Sequence, residues 1–212
     1  MNENNRRLHD LGQSLWVDNI TRGTLDDGTL KGYIEDLSVT GLTSNPTIFE
    51  KAIGGGNDYD AQIAELAASE SDPEQIFFEL AMADLRRAAD DFEEIHEKTD
   101  RVDGYVSLEV SPLLADDTEA TIAQAADLYK RIDRKNVFIK IPGTPAGLPA
   151  IEETIFAGIP VNVTLLFSTE QYLAAADAYL KGVERRIKAG LNPAINSVAS
   201  LFISRWDAAV ID

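Results

Sequence analysis

Six short segments have the length and apolar content of β-strands: "SLWVDNI" (14–20), "VTGLTSN" (39–45), "GYVSLEV" (104–110), "NVFIKIP" (136–142), "IPVNVTLL" (159–166) and "NSVASLFIS" (196–204). Apolar residues at helical spacing fill most of the intervals between them. Strand alternating with helix demands a parallel sheet covered by helices, as an open doubly wound sheet or a closed barrel. Parallel strands covered on both faces read apolar at every position, and these do not. Every second residue gives Trp16 and Asp18, Thr43 and Asn45, Ser107 and Glu109, Phe138 and Lys140, Asn162 and Thr164, Ser200 and Phe202. The opposite parity is mostly Val, Leu and Ile, including Val106, Ile139, Ile141, Val161, Val163, Leu165 and Leu201. A polar face under flanking helices fits a barrel whose lumen collects polar side chains, with the working groups near the C-terminal ends of the strands.

The helical intervals carry their own punctuation. In "DDGTLKGYIEDL" (26–37) Leu30, Ile34 and Leu37 share a face. Asp72 as cap, Pro73 in the first turn and Gln75 where a capping box wants it open a long helix. "STEQYLAAADAYLKGVERRIKAG" (168–190) starts with a Ser168 to Gln171 capping box and stops at Gly190. Asp116 and Asp117 begin a further helix. The charge-rich run "DLRRAADDFEEIHEKTDR" (84–101) is expected to be a solvated face. With 212 residues, 44% of them apolar, and no linker or repeat, the chain is expected to form one domain over 1–212.

Lys140 lies in the middle of an otherwise apolar strand. Burial among apolar neighbours disfavours an ammonium, so a neutral, nucleophilic amine becomes accessible there. Such an amine attacks a carbonyl to give a carbinolamine and then a Schiff base, an electron sink for breaking an adjacent carbon–carbon bond. A lysine that reaches past the strand end to water, or pairs with a carboxylate, explains the same residue without chemistry. Asp18 and Glu109 share its parity from other strands, and two carboxylates in different environments can divide acid and base roles. Asn162 is an amide among Val and Leu and needs a buried partner. Asn45 precedes Pro46 and can equally cap a following short helix.

Other function classes recede. A formal charge of -17 repels nucleic acid and anionic lipid, so an anionic small substrate needs a locally positive pocket. The longest largely apolar run, "IFAGIPVNVTLLF", is too short to span a bilayer, and the N-terminus lacks the apolar core of a secretory signal. With no cysteine and only His9 and His96, no metal site is expected, and a cytoplasmic setting suits the composition.

The motifs "TSNPTIF", "FIKIPGT", "NVTLLFS" and "SLFISRWD" resemble those of transaldolase, a class I Schiff-base aldolase family on a (β/α)8 barrel, in order from Asp18 to Arg205. The resemblance implies that Lys140 forms the Schiff base and that Asp18 is the acid/base at the C4 hydroxyl. It implies that Glu109 and Thr164 hold a proton-shuttling water. Asn45 and Asn162 would bind hydroxyls of a dihydroxyacetone unit with Thr43 beside them; Ser200 and Arg205 would bind phosphate, and Phe202 would wall the pocket. No cofactor is implied, and the partners are sugar phosphates. The activity expected is transfer of dihydroxyacetone from sedoheptulose 7-phosphate or fructose 6-phosphate to an aldose phosphate, in the pentose phosphate pathway. A fructose 6-phosphate aldolase-like enzyme releasing dihydroxyacetone is the alternative within the class.

Eight residues follow the sixth strand segment, too few for two further strand–helix units. The chain is therefore expected to be a barrel truncated after the sixth strand, either a fragment of a longer protein or one whose missing part another chain supplies. Its exposed edges invite self-association, and an inactive partial barrel is the competing expectation.

Overall fold

The computed structural model describes residues 2–211. Its strands are β1 (Leu15–Val17), β2 (Val39–Leu42), β3 (Tyr105–Glu109), β4 (Val137–Pro142), β5 (Val161–Leu166) and β6 (Ser197–Leu201). The helices are α1 (Glu3–Asp10), α2 (Arg22–Asp26), α3 (Thr29–Leu37), α4 (Pro46–Gly54), α5 (Asp60–Ala67), α6 (Pro73–Lys98), α7 (Thr118–Ile132), α8 (Gly147–Ala157), α9 (Thr169–Lys188) and α10 (Ile203–Val210). The strands follow one another in the sheet in chain order, and β1/β2, β2/β3, β4/β5 and β5/β6 pair in parallel. Chain order is the order of a (β/α) barrel; a doubly wound sheet reverses direction at a switch point. The fold is α/β of the TIM-barrel type, with six strands among the described residues.

Two compact units divide the chain, one running to Leu108 and including Ile132–Val137, the other Glu109–Arg131 with the residues from Phe138 onward. In the first, α6 starts where Asp72 accepts the Glu74 N–H at 2.9 Å and Pro73 sits in the first turn. Its buried stripe, Phe78, Ala81, Met82, Leu85, Ala88, Ala89 and Phe92, recurs at helical spacing. Burying each large apolar side chain there contributes about 1.5–3 kcal/mol. Asp84 and His96 share the buried side, so "DLRRAADDFEEIHEKTDR" is not uniformly a solvated face. Asp84 pairs with Arg22, and His96 Nδ1 lies 2.9 Å from the Asp103 carbonyl.

In the second unit every β4 residue from Phe138 to Pro142 is buried. α8 and α9 approach so closely that a Cβ on Gly182 would stand 2.8 Å from the Glu152 carbonyl and from Ile155. The N-terminus of α9 is capped as expected on one side only. Ser168 Oγ accepts the Gln171 N–H at 3.3 Å, while Gln171 Oε1 reaches one residue further and accepts the Phe167 N–H at 2.8 Å. The helix stops before Gly190, which takes the left-handed backbone at φ +70°.

Three sequence expectations shift. β1 and β2 end at Val17 and Leu42, so Asp18, Thr43 and Asn45 lie just past the strands. β6 ends at Leu201, because the residues after it form α10. In β5, Leu165 does not take the apolar side as parity requires. Its φ of +58° and a register shift put one more residue on β5 than on β6 between the Val163/Ala199 and Leu166/Leu201 pairs. A bulge of this kind inverts the alternation beyond it, and Leu166 is the residue fully buried. No helix among the described residues is long and apolar enough to cross a membrane.

Candidate active site

Within the second unit the lysine and its neighbours come together on adjacent strands. Lys140 is the fourth residue of β4 and only 5% exposed. Its Nζ lies 3.1 Å from Glu109 Oε2, at the C-terminal end of β3. The amine is thus not surrounded by apolar groups alone. Burial pushes the Glu109 carboxyl above its ordinary value of 4.5, and the charges of Lys140 and Arg205 pull it partway back. Desolvation winning over an ion pair at 3.1 Å marks a site where water is largely excluded.

β5 lies in register beside the lysine, with Lys140 opposite Asn162 and Pro142 opposite Thr164. Both β5 side chains are buried. Ser200 Oγ donates to Asn162 Oδ1 at 2.8 Å, which occupies the carbonyl end of the amide and directs its NH2 end elsewhere. Thr164 Oγ1 is buried without a hydrogen-bond partner among the described residues, an uncommon condition for a hydroxyl. Past β6, Phe202 stacks on Phe167 with ring centroids 5.6 Å apart, and the exposed Arg205 lays its guanidinium 4.2 Å over the Phe202 ring. Arg205 is therefore presented by an aromatic platform at the start of α10.

Asp18, Thr43 and Asn45 belong to the first unit. Asp18 directly follows β1 and is exposed. The Thr43 N–H donates to the Val17 carbonyl at 2.9 Å, tying the ends of β1 and β2 together. Asn45 Oδ1 accepts the Ile48 N–H at 3.0 Å and caps α4, so the capping role holds and any ligand contact would use the amide NH2.

The first unit also holds a buried polar cluster that the sequence reading missed. Arg22, at the start of α2, pairs with Asp84 of α6, and Tyr59 donates its hydroxyl proton to the same carboxylate at 2.7 Å. A carboxylate on the apolar stripe of α6 was the available signal, since a buried charge requires a partner. Among the described residues no group of His, Cys, Asp and Glu could hold a metal ion.

A family model described as transaldolase/fructose-6-phosphate aldolase matches residues 15–212. Transaldolase 2 of Nostoc punctiforme is 48% identical over 198 residues, covering 93% of this chain and 52% of its own length. The transaldolase of Mycolicibacterium paratuberculosis is 48% identical over 210 residues, 99% of this chain and 56% of its own. That of Trichodesmium erythraeum is 49% identical over 205 residues, 96% of this chain and 54% of its own. The chain spans about half the length of the curated relatives it matches. Since the family match begins at the first residue of β1 and takes in every strand, the chain belongs to the transaldolase/fructose-6-phosphate aldolase family.

Proposed function

We propose that this chain carries out, or supplies the Schiff-base part of, dihydroxyacetone transfer between sugar phosphates. The observation that carries the reading is the buried Lys140 side chain with its Nζ 3.1 Å from Glu109 Oε2, beside in-register Asn162. In this reading the neutral Lys140 amine adds to C2 of a ketose phosphate, and Glu109 exchanges the proton through a water that also bonds the Thr164 hydroxyl. Loss of hydroxide as water leaves a protonated imine. Asp18 then takes the C4 hydroxyl proton, the C3–C4 bond breaks, and its electrons move into the imine to leave an enamine on Lys140 while an aldose departs. The enamine carbon adds to the carbonyl of a second aldose phosphate, Asp18 returns the proton, and hydrolysis frees the lysine. Asn162, oriented by Ser200, Asn45 with Thr43, and Phe202 would hold the three-carbon unit, and Arg205 would meet the phosphate. Sedoheptulose 7-phosphate and fructose 6-phosphate are the donors, and a cytoplasmic pentose phosphate setting follows from the same reading.

Borohydride reduction in the presence of fructose 6-phosphate tests it. A mass adduct on Lys140, absent in Lys140→Ala, is expected; no adduct, or undiminished trapping in the variant, overturns the reading. Erythrose 4-phosphate then separates transfer, which yields sedoheptulose 7-phosphate, from an aldolase releasing dihydroxyacetone. A second reading, a non-catalytic partial barrel that self-associates, draws on Leu201, Ile203 and Trp206, which are exposed on β6 and α10. It requires an oligomer in light scattering together with failure of the trapping experiment.

A further inference from the structure

We infer that Arg22, Tyr59 and Asp84 form a positioning device for Asp18, acting through the loop that joins β1 to α2. The inference rests on the acid/base reading of Asp18 given above. Asp84 is 1% exposed, and both of its oxygens are engaged. Oδ1 accepts from Arg22 Nε at 3.0 Å and lies 2.9 Å from the second guanidinium nitrogen, while Oδ2 accepts the Tyr59 hydroxyl proton at 2.7 Å. The circuit closes through the backbone, because the Arg22 main-chain N–H donates to the Tyr59 hydroxyl at 3.1 Å. The guanidinium also lies 4.2 Å over the Tyr59 ring and donates to the Asp58 carbonyl at 3.3 Å. Burial, followed by the Asp84 hydrogen bond, pushes the Tyr59 hydroxyl well up, so it stays a proton donor at any working pH.

A closed circuit involving both the side chain and the main chain of one residue fixes where the chain enters α2. Only Asp18, Asn19, Ile20 and Thr21 separate that point from Val17, whose carbonyl is held by Thr43. Two of these four are themselves fastened: Ile20 is buried, and Thr21 closes a capping box with Thr24. The loop is therefore held at both ends and in its second half, which leaves the exposed Asp18 carboxylate with little freedom of backbone placement. None of the three residues needs to touch substrate. Their effect comes from geometry, since a displacement of about 1 Å in a reacting group lowers a rate on the order of 10²-fold.

The test uses the full chain and the variants Tyr59→Phe and Asp84→Asn, each assayed where circular dichroism shows it folded. Imine formation needs Lys140 and not Asp18, whereas C3–C4 cleavage needs both. Borohydride trapping of dihydroxyacetone on Lys140 is expected to stay within about twofold of the unsubstituted chain. The kcat for cleavage of fructose 6-phosphate is expected to fall about 3–10-fold in Tyr59→Phe and about 10–100-fold in Asp84→Asn, with KM little changed. A merely structural role would reduce trapping and cleavage in parallel, and that result overturns the inference, as does an unchanged kcat in folded Tyr59→Phe. If Asp84→Asn does not fold, Tyr59→Phe decides. An unsubstituted chain that forms no adduct refutes the Schiff-base reading beneath this one. A chain that forms the adduct without cleaving the sugar removes the role of Asp18 and this inference with it.

Discussion

Replacing Lys140 by Met removes the ammonium but keeps most of the side-chain volume, so the change isolates charge. At the 3.1 Å separation from Glu109, an effective dielectric near 20 gives a gross attraction of about 5 kcal/mol. Against this stands desolvation of both groups, which for Glu109 outweighs the attraction, because its carboxyl is held above the ordinary 4.5 even with Lys140 beside it. The intact pair is therefore close to neutral for stability, and one partner alone is not. Lys140→Met at pH 7 is expected to lose about 3–5 kcal/mol, and adding Glu109→Gln should bring stability back to within about 1 kcal/mol of the unsubstituted chain. The pH dependence has a fixed sign. A carboxyl raised in the folded state contributes stability fully below 4.5, and that contribution disappears as pH rises through its folded value. Removing the ammonium lifts the folded value further, so the deficit of Lys140→Met should widen from pH 4.5 to 7 and close at lower pH. Urea unfolding of the two single variants and the double variant at several pH values gives the measurement. A single variant as stable as the starting chain at pH 7, or a double variant as unstable as Lys140→Met, would refute the argument.

Two further outcomes follow from local geometry. A Cβ at Gly41 would stand 2.6 Å from Trp16 Cδ2, so Gly41→Ala must displace the indole; a loss of about 1–3 kcal/mol and a shifted Trp emission are expected, and unchanged emission would contradict the packing. Asp72→Ala removes the cap that satisfies the Glu74 N–H of α6 and should lower stability by about 1 kcal/mol in thermal unfolding, with Asp72→Ser recovering most of it.

Much of this protein could be read directly from its residues. Period-2 and helical spacing locate all six strands within a few residues, because burying one face of each element is a local demand written into consecutive positions. The polar parity singles out Lys140, Glu109, Asn162 and Thr164, since a polar side chain buried in a sheet calls for a partner or a purpose. Other features arise only between segments distant in sequence. That Lys140 faces Glu109 and that Ser200 fastens Asn162 depend on the register of neighbouring strands, which no single strand encodes. The bulge at Leu165 replaces one leucine by the next in the core, a choice set by pairing with β6 and invisible in "VNVTLLF". The circuit of Arg22, Tyr59 and Asp84 spans 62 residues of chain; Asp84 on the apolar stripe of α6 signals that a partner is needed, but the sequence does not say that Arg22 and Tyr59 supply it. Periodicity thus determined which side chains turn inward, while tertiary packing decided which of them meet, because hydrogen bonds and ion pairs depend on distances that only the folded backbone sets.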